Sequence, residues 1–588
     1  MKKKPFLVLT ADETTWPSNS KKVFFLGKWC LLNERKKKWS KYRYKLIQSQ
    51  KKTKFTLLKE FNYSEKLYEK ILKELTLKLN KIHNTKYSLR AWRIIIGPWL
   101  NRFIAIVYNR HEILKNFSKN HNFNNFRIIN GIQKKTSTFN TSEFTDLASQ
   151  DNWNHFLFLK IMILITEKNK FNHKFRFLKK QKISIKYRNS LIKKINYNNL
   201  LTKFLRNKYV FFNTYFNKRI DVIKLITGLG DIPYKLNFDL TIKKENFSEN
   251  IRKKIYFKKS NNKGIENIIK VLLPDYIPEI FLESFDNLRK TVDNSNLPKE
   301  RKTIFAANGL YKDEVFKMWT ANQIEKKGKL LCGQHGGTYG ISFFSYAENH
   351  EKKICDKFLT WGWSEKNKRT LPASAFKILN SKKSKRVDFD KILLVLNRNG
   401  RYLIVNQSER IDSETANEYT NFIFDFLNKL PKKILKKTFI KLYPNDNEYS
   451  NSIGDILKNK YKDLNFIESG DLKGIINNFK LIILTNNNTS FLETIGVNKP
   501  CILLVNKKIS FLRSSAFKYY KRLSKVKIFH NSIDSCIGHI KKNLDELYEW
   551  WDSTAVENVK QEFCNKYANT EDSSLKKTIK IFKNNHVN

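Results

Sequence analysis

The sequence predicts an α/β fold in which two Rossmann-like domains face each other across a cleft. Between residues 303 and 363, short apolar runs alternate with amphipathic stretches, and a second alternation of the same kind covers 391–505. Alternation of this kind is typical of a parallel sheet with crossover helices. A chain of 588 residues is also too long for one hydrophobic core, so more than one domain is expected.

The first predicted domain spans residues 1–385. Apolar runs at its start and in its last third predict buried strands, namely 5–14, 23–32, 303–309, 329–337 and 357–363. Helical periodicity is present at 60–82, 88–115, 313–328 and 345–356. Residues 115–300 mix apolar patches with Lys/Asn-rich stretches, so we expect a largely helical insertion at about 60–300. Residues 364–388 contain no strong strand and suit a linker.

The second predicted domain spans residues 388–530. Its predicted strands are 391–399, 438–446, 465–469, 480–485 and 500–505. The helices predicted between them are 409–430, 452–460, 471–479 and 489–496. We expect the helices of the remaining segment, 531–588, to pack back on the cleft.

The charge of the chain is strongly positive. It carries 113 basic and 54 acidic residues, for a formal net charge of +59. Such a charge favours anionic partners: a nucleotide, a polyanionic glycan, an anionic lipid surface or a nucleic acid. The chain is also crowded with Lys, Asn, Ile and Phe, as AT-rich coding produces, and this bias accounts for most of the charge. The basic residues are spread along the chain rather than gathered in one recognised module, so no nucleic-acid partner is expected.

Cysteine usage and hydropathy bear on the compartment. None of the six cysteines forms a C-x-x-C pair, which favours free buried thiols in a reducing compartment. The first apolar run is too short for a signal peptide, and no uncharged apolar stretch approaches ~20 residues. We therefore expect a cytoplasmic protein whose basic surface allows peripheral contact with the anionic inner membrane.

The turn and helix at 485–496 are the most informative segment. A polar turn that leads into a helix offers free backbone N–H groups and a positive dipole end, which suit a phosphate at Thr489 and Ser490. Glu493, one turn further on, would accept hydrogen bonds from the two hydroxyls of a ribose. The alternative is an ordinary capped helix with a solvent-facing Glu493.

The glycine-rich segment GQHGGTYG, residues 333–340, directly follows a predicted strand. Gly336 and Gly337 would let the backbone approach a donor closely, and His335 would lie where open α/β sheets bind ligands. His335 is a candidate general base or a hydrogen-bond donor to a phosphate. The alternative is a glycine-rich turn with a structural histidine.

Three further positions follow strands. Lys441 would face a donor diphosphate, and Arg398 and Arg401 would bind one through paired N–H groups. Asp12 and Glu13 offer a second candidate for the catalytic base. The alternatives are a plain strand exit for Lys441, a solvated basic turn for the two arginines and turn capping for the two acids.

Several catalytic motifs are absent from the sequence. There is no G-x-x-x-x-G-K-[ST] loop, kinase catalytic loop, G-x-S-x-G elbow or H-E-x-x-H helix. Apart from Asp388 and Asp390 at the predicted domain boundary, no Asp-x-Asp pair of the kind used by metal-dependent transferases is present. We therefore predict no metal and no cofactor beyond a nucleotide-activated donor, whose charge helix dipoles and basic side chains would neutralise.

Four segments together resemble one family: FLVLTADETTWP with VFFLGKWCLL, SLRAWRIIIGPWLNRFIAIVYNR (88–110), GQHGGTYG and TNNNTSFLETIGVNKP. They look like the transferases encoded in bacterial O-antigen and surface-carbohydrate gene clusters, with a more distant similarity to GT-B glycosyltransferases and polymer glycerophosphotransferases. The resemblance implies that Glu493 binds ribose and that His335 serves the reaction centre. Those relatives often carry Arg where this chain has Lys441, which puts a bidentate phosphate contact there in question.

The function predicted from the sequence is transfer of a sugar from a nucleotide-activated donor to a surface polysaccharide, O-antigen or capsule. The partners would be a nucleotide sugar and a glycan or lipid-linked glycan acceptor. Three alternatives remain open: a polyol-phosphate transferase of the CDP-glycerol type, a nucleotide-sugar epimerase and a non-enzymatic nucleic-acid-binding protein.

Overall fold

The computed structural model of the protein describes most of the chain. The described residues are 5–18, 22–47, 52–121, 126, 128–129, 136–165, 177–178, 207–233, 236, 238–257, 264–387, 390–409, 412, 415–443, 453–570 and 574–586. Most of 166–206 lies outside these ranges, as do 410–411, 413–414 and 444–452. The helices predicted within 166–206 and the predicted end of the strand at 438–446 therefore stay predictions.

The described strands are β1 Phe6–Val8, β2 Val23–Phe25, β3 Tyr44–Leu46, β4 Ile128–Ile129, β5 Phe177–Leu178, β6 Tyr209–Phe212, β7 Thr303–Ala306, β8 Lys329–Gly333, β9 Lys357–Thr360, β10 Thr370–Pro372, β11 Ile392–Val395, β12 Thr438–Lys441, β13 Asn465–Ile467, β14 Leu481–Leu484, β15 Cys501–Leu504 and β16 Phe529–His530. The described α-helices are Lys36–Trp39, Lys54–His83, Leu89–Asn120, Thr141–Leu147, Asp151–Ile165, Arg219–Gly228, Glu249–Lys253, Ile265–Tyr276, Phe285–Asp293, Glu314–Glu325, Tyr346–Ile354, Ala416–Lys429, Lys432–Lys436, Ile453–Lys460, Leu472–Ile475, Thr489–Gly496, Ser514–Lys525, Ile533–Asn543, Leu547–Trp551, Thr554–Tyr567 and Ser574–Lys583.

The first alternation forms a five-stranded parallel sheet in the order β10-β9-β8-β7-β6. The three strands predicted at 303–309, 329–337 and 357–363 form its centre as β7, β8 and β9. The two edge strands, β6 and β10, were not predicted. β10 lies in the predicted linker, and that part of the linker prediction is wrong. Three residues that end in proline give no periodic signal, but proline is tolerated at a sheet edge. β6 is a short aromatic run within the region read as helical.

The second alternation forms a six-stranded parallel sheet in the order β13-β12-β11-β14-β15-β16. Its central strands β11, β14 and β15 are apolar and almost entirely buried, as expected when helices cover both faces of a sheet. The chain enters the sheet at β11, extends it outward through β13 and then returns to add β14 on the other side. The switch point of this sheet therefore lies between β11 and β14, where open α/β sheets place their ligands.

The strands β1, β2 and β3 form a separate three-stranded parallel sheet and do not join the five-stranded one. They pack with the long helices in one continuous hydrophobic core. The helix Leu89–Asn120 is 32 residues long and is buried along most of its length. It packs against Lys54–His83, Asp151–Ile165 and Glu314–Glu325, so it joins the insertion to the first domain.

The C-terminal segment passes from the second sheet back to the first. Thr554–Tyr567 packs on Thr489–Gly496, and the Asn569 N–H then donates to the Trp361 carbonyl, 3.1 Å away. Further on, Phe582 is fully buried against Phe305, beside the five-stranded sheet. The predicted fold class, two Rossmann-like domains with a largely helical insertion, is confirmed. None of the helices in the described ranges is both long and apolar enough to cross a membrane.

Lys499 is an unusual component of the second domain. Its side chain is fully buried, and its Nζ has no hydrogen-bond partner within the described ranges. Burial lowers the pKa of Lys499 to about 8 because the charged amine has lost its hydration. The buried Lys480, by contrast, lies 3.0 Å from the Asp390 carboxylate. The folded state therefore holds one unpaired amine at a cost in stability.

Replacing this amine should stabilise the protein. Lys499→Met is expected to raise the free energy of unfolding at pH 7 by about 1–3 kcal/mol, the range for an unpaired buried polar group. The gain should shrink between pH 8 and pH 10. There the folded wild type has already lost the proton that its unfolded chain keeps, so wild-type stability rises with pH.

Denaturant unfolding at several pH values checks this, with Lys480→Met as the matched control. The control should destabilise because it leaves Asp390 with one cation fewer. A destabilising Lys499→Met would show that the amine is satisfied in the folded protein.

Candidate functional site

A cavity of about 300 Å³ lies at the switch point of the second sheet. Residues that follow β11 line it, among them Asn397 and Arg398, and so do Asn486 and Asn488, which follow β14. Thr338 of the glycine-rich segment 333–340, which we call the glycine loop, closes the cavity from the first domain. Both domains therefore contribute walls to this space.

A second cavity of about 130 Å³ adjoins the first along the same sheet edge, since the two share Asn397, Asn486 and Asn488. Lys441 and Ser490 line this smaller cavity. Lys441 is buried, and its Nζ donates to the Leu442 carbonyl at 3.1 Å. Burial lowers the pKa of this amine. Together the two cavities bring Arg398, Lys441 and the start of the helix Thr489–Gly496 to one sheet edge.

The helix Thr489–Gly496 has the bounds predicted from the sequence, but its cap is Asn488. The Asn488 Oδ1 accepts from the Ser490 N–H at 3.1 Å, a preferred use of asparagine at a helix start. The Thr489 hydroxyl accepts from the Gly337 N–H at 2.9 Å. Thr489 and Ser490 thus lie at the expected helix start, and Thr489 contacts the first domain.

The glycine loop packs directly on this helix start. A Cβ atom on Gly337 would lie 2.5 Å from the Thr489 nitrogen and 2.6 Å from the Asn488 oxygen, which no real side chain tolerates. Gly336 is less restricted, because its Cβ would lie 3.7 Å from the Thr489 hydroxyl. Only glycine at 337 permits this approach of two backbones.

A buried glutamine holds the glycine loop from behind. The Gln334 Nε2 donates to the Gly336 carbonyl at 2.8 Å. Its Oε1 accepts from the Trp361 N–H at 2.9 Å and from the Trp363 indole N–H at 2.8 Å. The loop that carries His335 is therefore fixed to the end of the neighbouring strand.

His335 lies at the carboxyl end of β8, and its side chain is 18% exposed. Its Nδ1 is 3.3 Å from Oε1 of the buried Glu351, and the Tyr339 hydroxyl is 3.2 Å from the ring nitrogens. Tyr215 and Tyr311 contact the ring from other sides. His335 thus stands in an aromatic pocket with a carboxyl group behind it.

The protonation of this pair follows from its burial. Burial lowers the pKa of His335 to about 4 and raises the pKa of Glu351 well above its usual range. Near pH 7 the imidazole is therefore neutral, and burial favours the protonated form of the Glu351 carboxyl group. A neutral imidazole has a free lone pair, so His335 is able to act as a base.

Glu493 lies one turn into the helix, as predicted, with its side chain 22% exposed. Its Oε1 is 2.6 Å from the Nζ of Lys377, a residue of the segment after β10. The same helix face packs against that segment at Gly496, where a Cβ would lie 2.4 Å from Ile378. Glu493, the residue predicted to bind ribose, is therefore joined to the first domain by an ion pair.

The two arginines of the basic turn have different surroundings. Arg398 lines the larger cavity. Arg401 is buried, forms an ion pair with Asp151 of the insertion and donates to the Trp29 carbonyl at 3.2 Å. The Tyr402 hydroxyl and the Ala11 N–H also donate to Asp151. In this arrangement Arg401 links three parts of the chain. Its Nε has no hydrogen-bond partner within the described ranges, and like Arg398 it lines the larger cavity.

Asp12 and Glu13 have the capping and pairing roles that were the alternative to catalysis. The Asp12 Oδ1 accepts from the Thr14 N–H at 3.0 Å and caps the short turn Glu13–Thr15. Glu13 forms ion pairs with Arg35 and Lys38. No hydrogen bond or ion pair within the described ranges joins either acid to the glycine loop.

The sequence did not reveal several residues of the site. Glu351, Tyr311 and Tyr339 surround His335. Tyr339 lies in the glycine loop that the sequence singled out, but nothing in the local sequence distinguishes Glu351 or Tyr311. Glu409 lines the larger cavity, and its carboxylate accepts from the Ser510 hydroxyl at 3.0 Å. Burial raises the pKa of Glu409 to about 8. Asn488 did carry a signal, since an asparagine directly before a helix is a favoured cap.

The chain has weak structural similarity to several solved structures. It is 14% identical to TarM with a TM-score of 0.30, and the match covers 48% of this chain and 54% of TarM. The chain thus spans about half the length of TarM.

A candidate UDP-N-acetylglucosamine 2-epimerase from Listeria monocytogenes is 10% identical, with a TM-score of 0.31 and coverage of 54% and 83%. WaaG, a glycosyltransferase involved in lipopolysaccharide biosynthesis, is 11% identical, with a TM-score of 0.26 and coverage of 64% and 100%. These values are too low for a function to be transferred from any of the three.

A comparison with curated proteins gives no significant match. A family model, in contrast, matches almost the whole chain, from residue 5 to residue 582. The match includes the glycine loop, the helix Thr489–Gly496 and both parallel sheets. The chain therefore belongs to the LIC12162 family of transferases.

Proposed function

We propose that this transferase is a glycosyltransferase of the GT-B type that moves a sugar from a nucleotide-activated donor to a surface-glycan acceptor. One observation carries the proposal. The His335 loop of the first domain packs, backbone to backbone, on the helix start at the switch point of the second sheet. The loop that carries a candidate base thus contacts a candidate phosphate site.

The donor is assigned to the second domain, residues 388–530. Its phosphates would lie between the start of the helix Thr489–Gly496 and the cations Arg398 and Lys441, which line the two cavities. The proposal needs no metal, because these groups supply the positive charge. Ribose would bind Glu493, whose carboxylate would then be shared with Lys377.

The acceptor is assigned to the side of the first domain, with His335 as the base that takes the proton of the attacking hydroxyl. We propose that this acceptor is an O-antigen or capsule glycan, carried on a lipid. The basic surface would hold a cytoplasmic protein on the anionic inner face of the membrane, close to such an acceptor.

The donor site predicts a nucleotide response that depends on Glu493. A nucleotide among UDP, GDP, CDP, CMP, TDP and ADP should raise the melting temperature of the wild type, because it binds only the folded state. Glu493→Gln should abolish this rise. Binding of CDP or CMP would indicate a polyol-phosphate or acidic-sugar donor.

Lys377→Met is the matched control, since it breaks the same ion pair and keeps the carboxylate. Both variants should lower the melting temperature of the ligand-free protein by a similar small amount. If Glu493→Gln keeps the full nucleotide response, Glu493 is a structural residue and does not bind ribose.

His335 should govern the rate of the chemical step. His335→Gln is expected to lower kcat by about 10²–10⁴-fold, the usual contribution of a general base, with little change in the donor KM. Because burial lowers the pKa of His335 to about 4, the base loses its lone pair only as the pH falls through about 4. The kcat/KM of the wild type, whose pH dependence reports the free enzyme, should therefore show no histidine titration near pH 6.5.

A pH series of initial rates tests both statements, with His586→Gln as a control outside the cleft. An activity that falls in the wild type with a midpoint near pH 6.5 would assign the proton transfer to another group.

A further inference from the structure

Another space that borders the second domain is larger than either cavity of the donor cleft. A separate cavity of about 450 Å³, which we call the amide cavity, lies between the three-stranded sheet, the helix Leu89–Asn120 and the second domain. Leu26 and Gly27, which follow β2, and Ile47, which follows β3, form one wall. The carboxyl ends of parallel strands are where α/β sheets bind ligands, and the volume suits a small molecule, for which about 300–1,000 Å³ is usual.

Two pairs of asparagines line the amide cavity. Asn116 and Asn120 lie one turn apart on Leu89–Asn120, and Asn417 and Asn421 lie one turn apart on Ala416–Lys429. Asn120, Asn417 and Asn421 are exposed. Each side-chain amide both donates and accepts hydrogen bonds. Two pairs of amides on two helices therefore suit a ligand whose groups also donate and accept hydrogen bonds. Hydroxyl groups have this property.

The charges around the amide cavity nearly offset one another. Lys52 lies 3.0 Å from Glu60, and Lys508 lies 3.7 Å from Glu418. Lys28 interacts electrostatically with the same Glu418, and Glu112 adds another carboxylate to the lining. The lining residues Lys28, Lys52 and Lys508 against Glu112 and Glu418 leave a surplus of one positive charge, which is small in a chain of net charge +59. The ligand of the amide cavity is therefore neutral, unlike the phosphates expected beside Arg398 and Lys441.

Apolar side chains form the remaining lining of the amide cavity. They include Leu26, Ile113, Phe117, Phe344, Ile509 and Phe511. Aromatic and aliphatic surface next to amides matches the two kinds of surface on a sugar ring, whose C–H faces are apolar and whose edge carries hydroxyls.

One segment of the chain borders both the amide cavity and the donor cleft. Gln407 lines both the amide cavity and the larger cavity at the switch point. Its backbone pairs with Ser345 of the first domain, and the Ser408 N–H donates to the Phe344 carbonyl at 3.1 Å. A chain of sugars in the amide cavity would therefore lead past Gln407 towards the candidate reaction centre.

We propose that the amide cavity binds the neutral sugar units of the acceptor glycan. This assignment rests on the proposed function, because it takes the ligand to be the acceptor. The bound sugars would be held by Asn116, Asn120, Asn417 and Asn421, next to the donor phosphates but outside their charged site.

Saturation-transfer NMR on the full-length protein tests the site without knowledge of the natural acceptor. The probes are maltose, lactose, mannobiose and chitobiose at millimolar concentration, each with the wild type and with Asn417→Leu/Asn421→Leu. We expect transfer to at least one disaccharide, and the double variant should weaken its binding about 10-fold or more through the loss of amide hydrogen bonds. Asn428→Leu, the same change on the same helix outside the amide cavity, should keep the wild-type signal.

A second measurement separates this inference from the proposed function. The nucleotide response of the melting temperature should be the same in the double variant and the wild type, because the donor phosphates lie elsewhere. No transfer to any disaccharide, or equal transfer to the wild type and the double variant, would overturn the saccharide site. In a third outcome, the wild type binds a disaccharide while no nucleotide raises its melting temperature. That result would support the amide cavity as a sugar site and refute the nucleotide-dependent transferase.

Discussion

The close approach of Gly337 to the backbone of Asn488 and Thr489 is the constraint on which the candidate site depends. Two sheets built from separate parts of the chain are brought together at a point where residue 337 has no room for a side chain. The hydrogen bond from the Gly337 N–H to the Thr489 hydroxyl fixes the direction of that approach. His335, two residues earlier, is thereby placed beside the helix start of the other domain.

The surrounding structure supports this contact from a distance. Gln334 anchors the loop to the next strand, and Asn488 caps the helix that the loop meets. Asp151 binds Arg401 on one side and the Ala11 N–H on the other, so the insertion connects the three-stranded sheet to the second domain. The helical insertion thus helps to hold the two Rossmann-like sheets in their relative position.

Local patterns predicted most of the fold. Both alternations of strand and helix follow from apolar runs and breakers, and the helix Thr489–Gly496 is marked by the polar turn before it. The edge strands β10 and β16 were missed because two or three residues cannot display a period. The separate pairing of β1 with β2 and β3 was missed because strand pairing is a long-range choice. For the same reason no local signal identifies Glu351 beside His335, Lys377 beside Glu493 or Asp151 beside Arg401.

The return of the C-terminal segment to the first sheet means that two polypeptide connections join the domains. The first runs near Ser384, whose N–H donates to the Val497 carbonyl at 2.7 Å. The second runs near Asn569, whose carbonyl accepts from the Ala375 N–H at 2.7 Å. Two connections at separate points restrain the domains from sliding past each other. They leave rotation about the line between them, which would also have to break the Arg401–Asp151 ion pair. Opening of the cleft would then be a single hinge rotation that lifts His335 and its whole loop from the helix start at once.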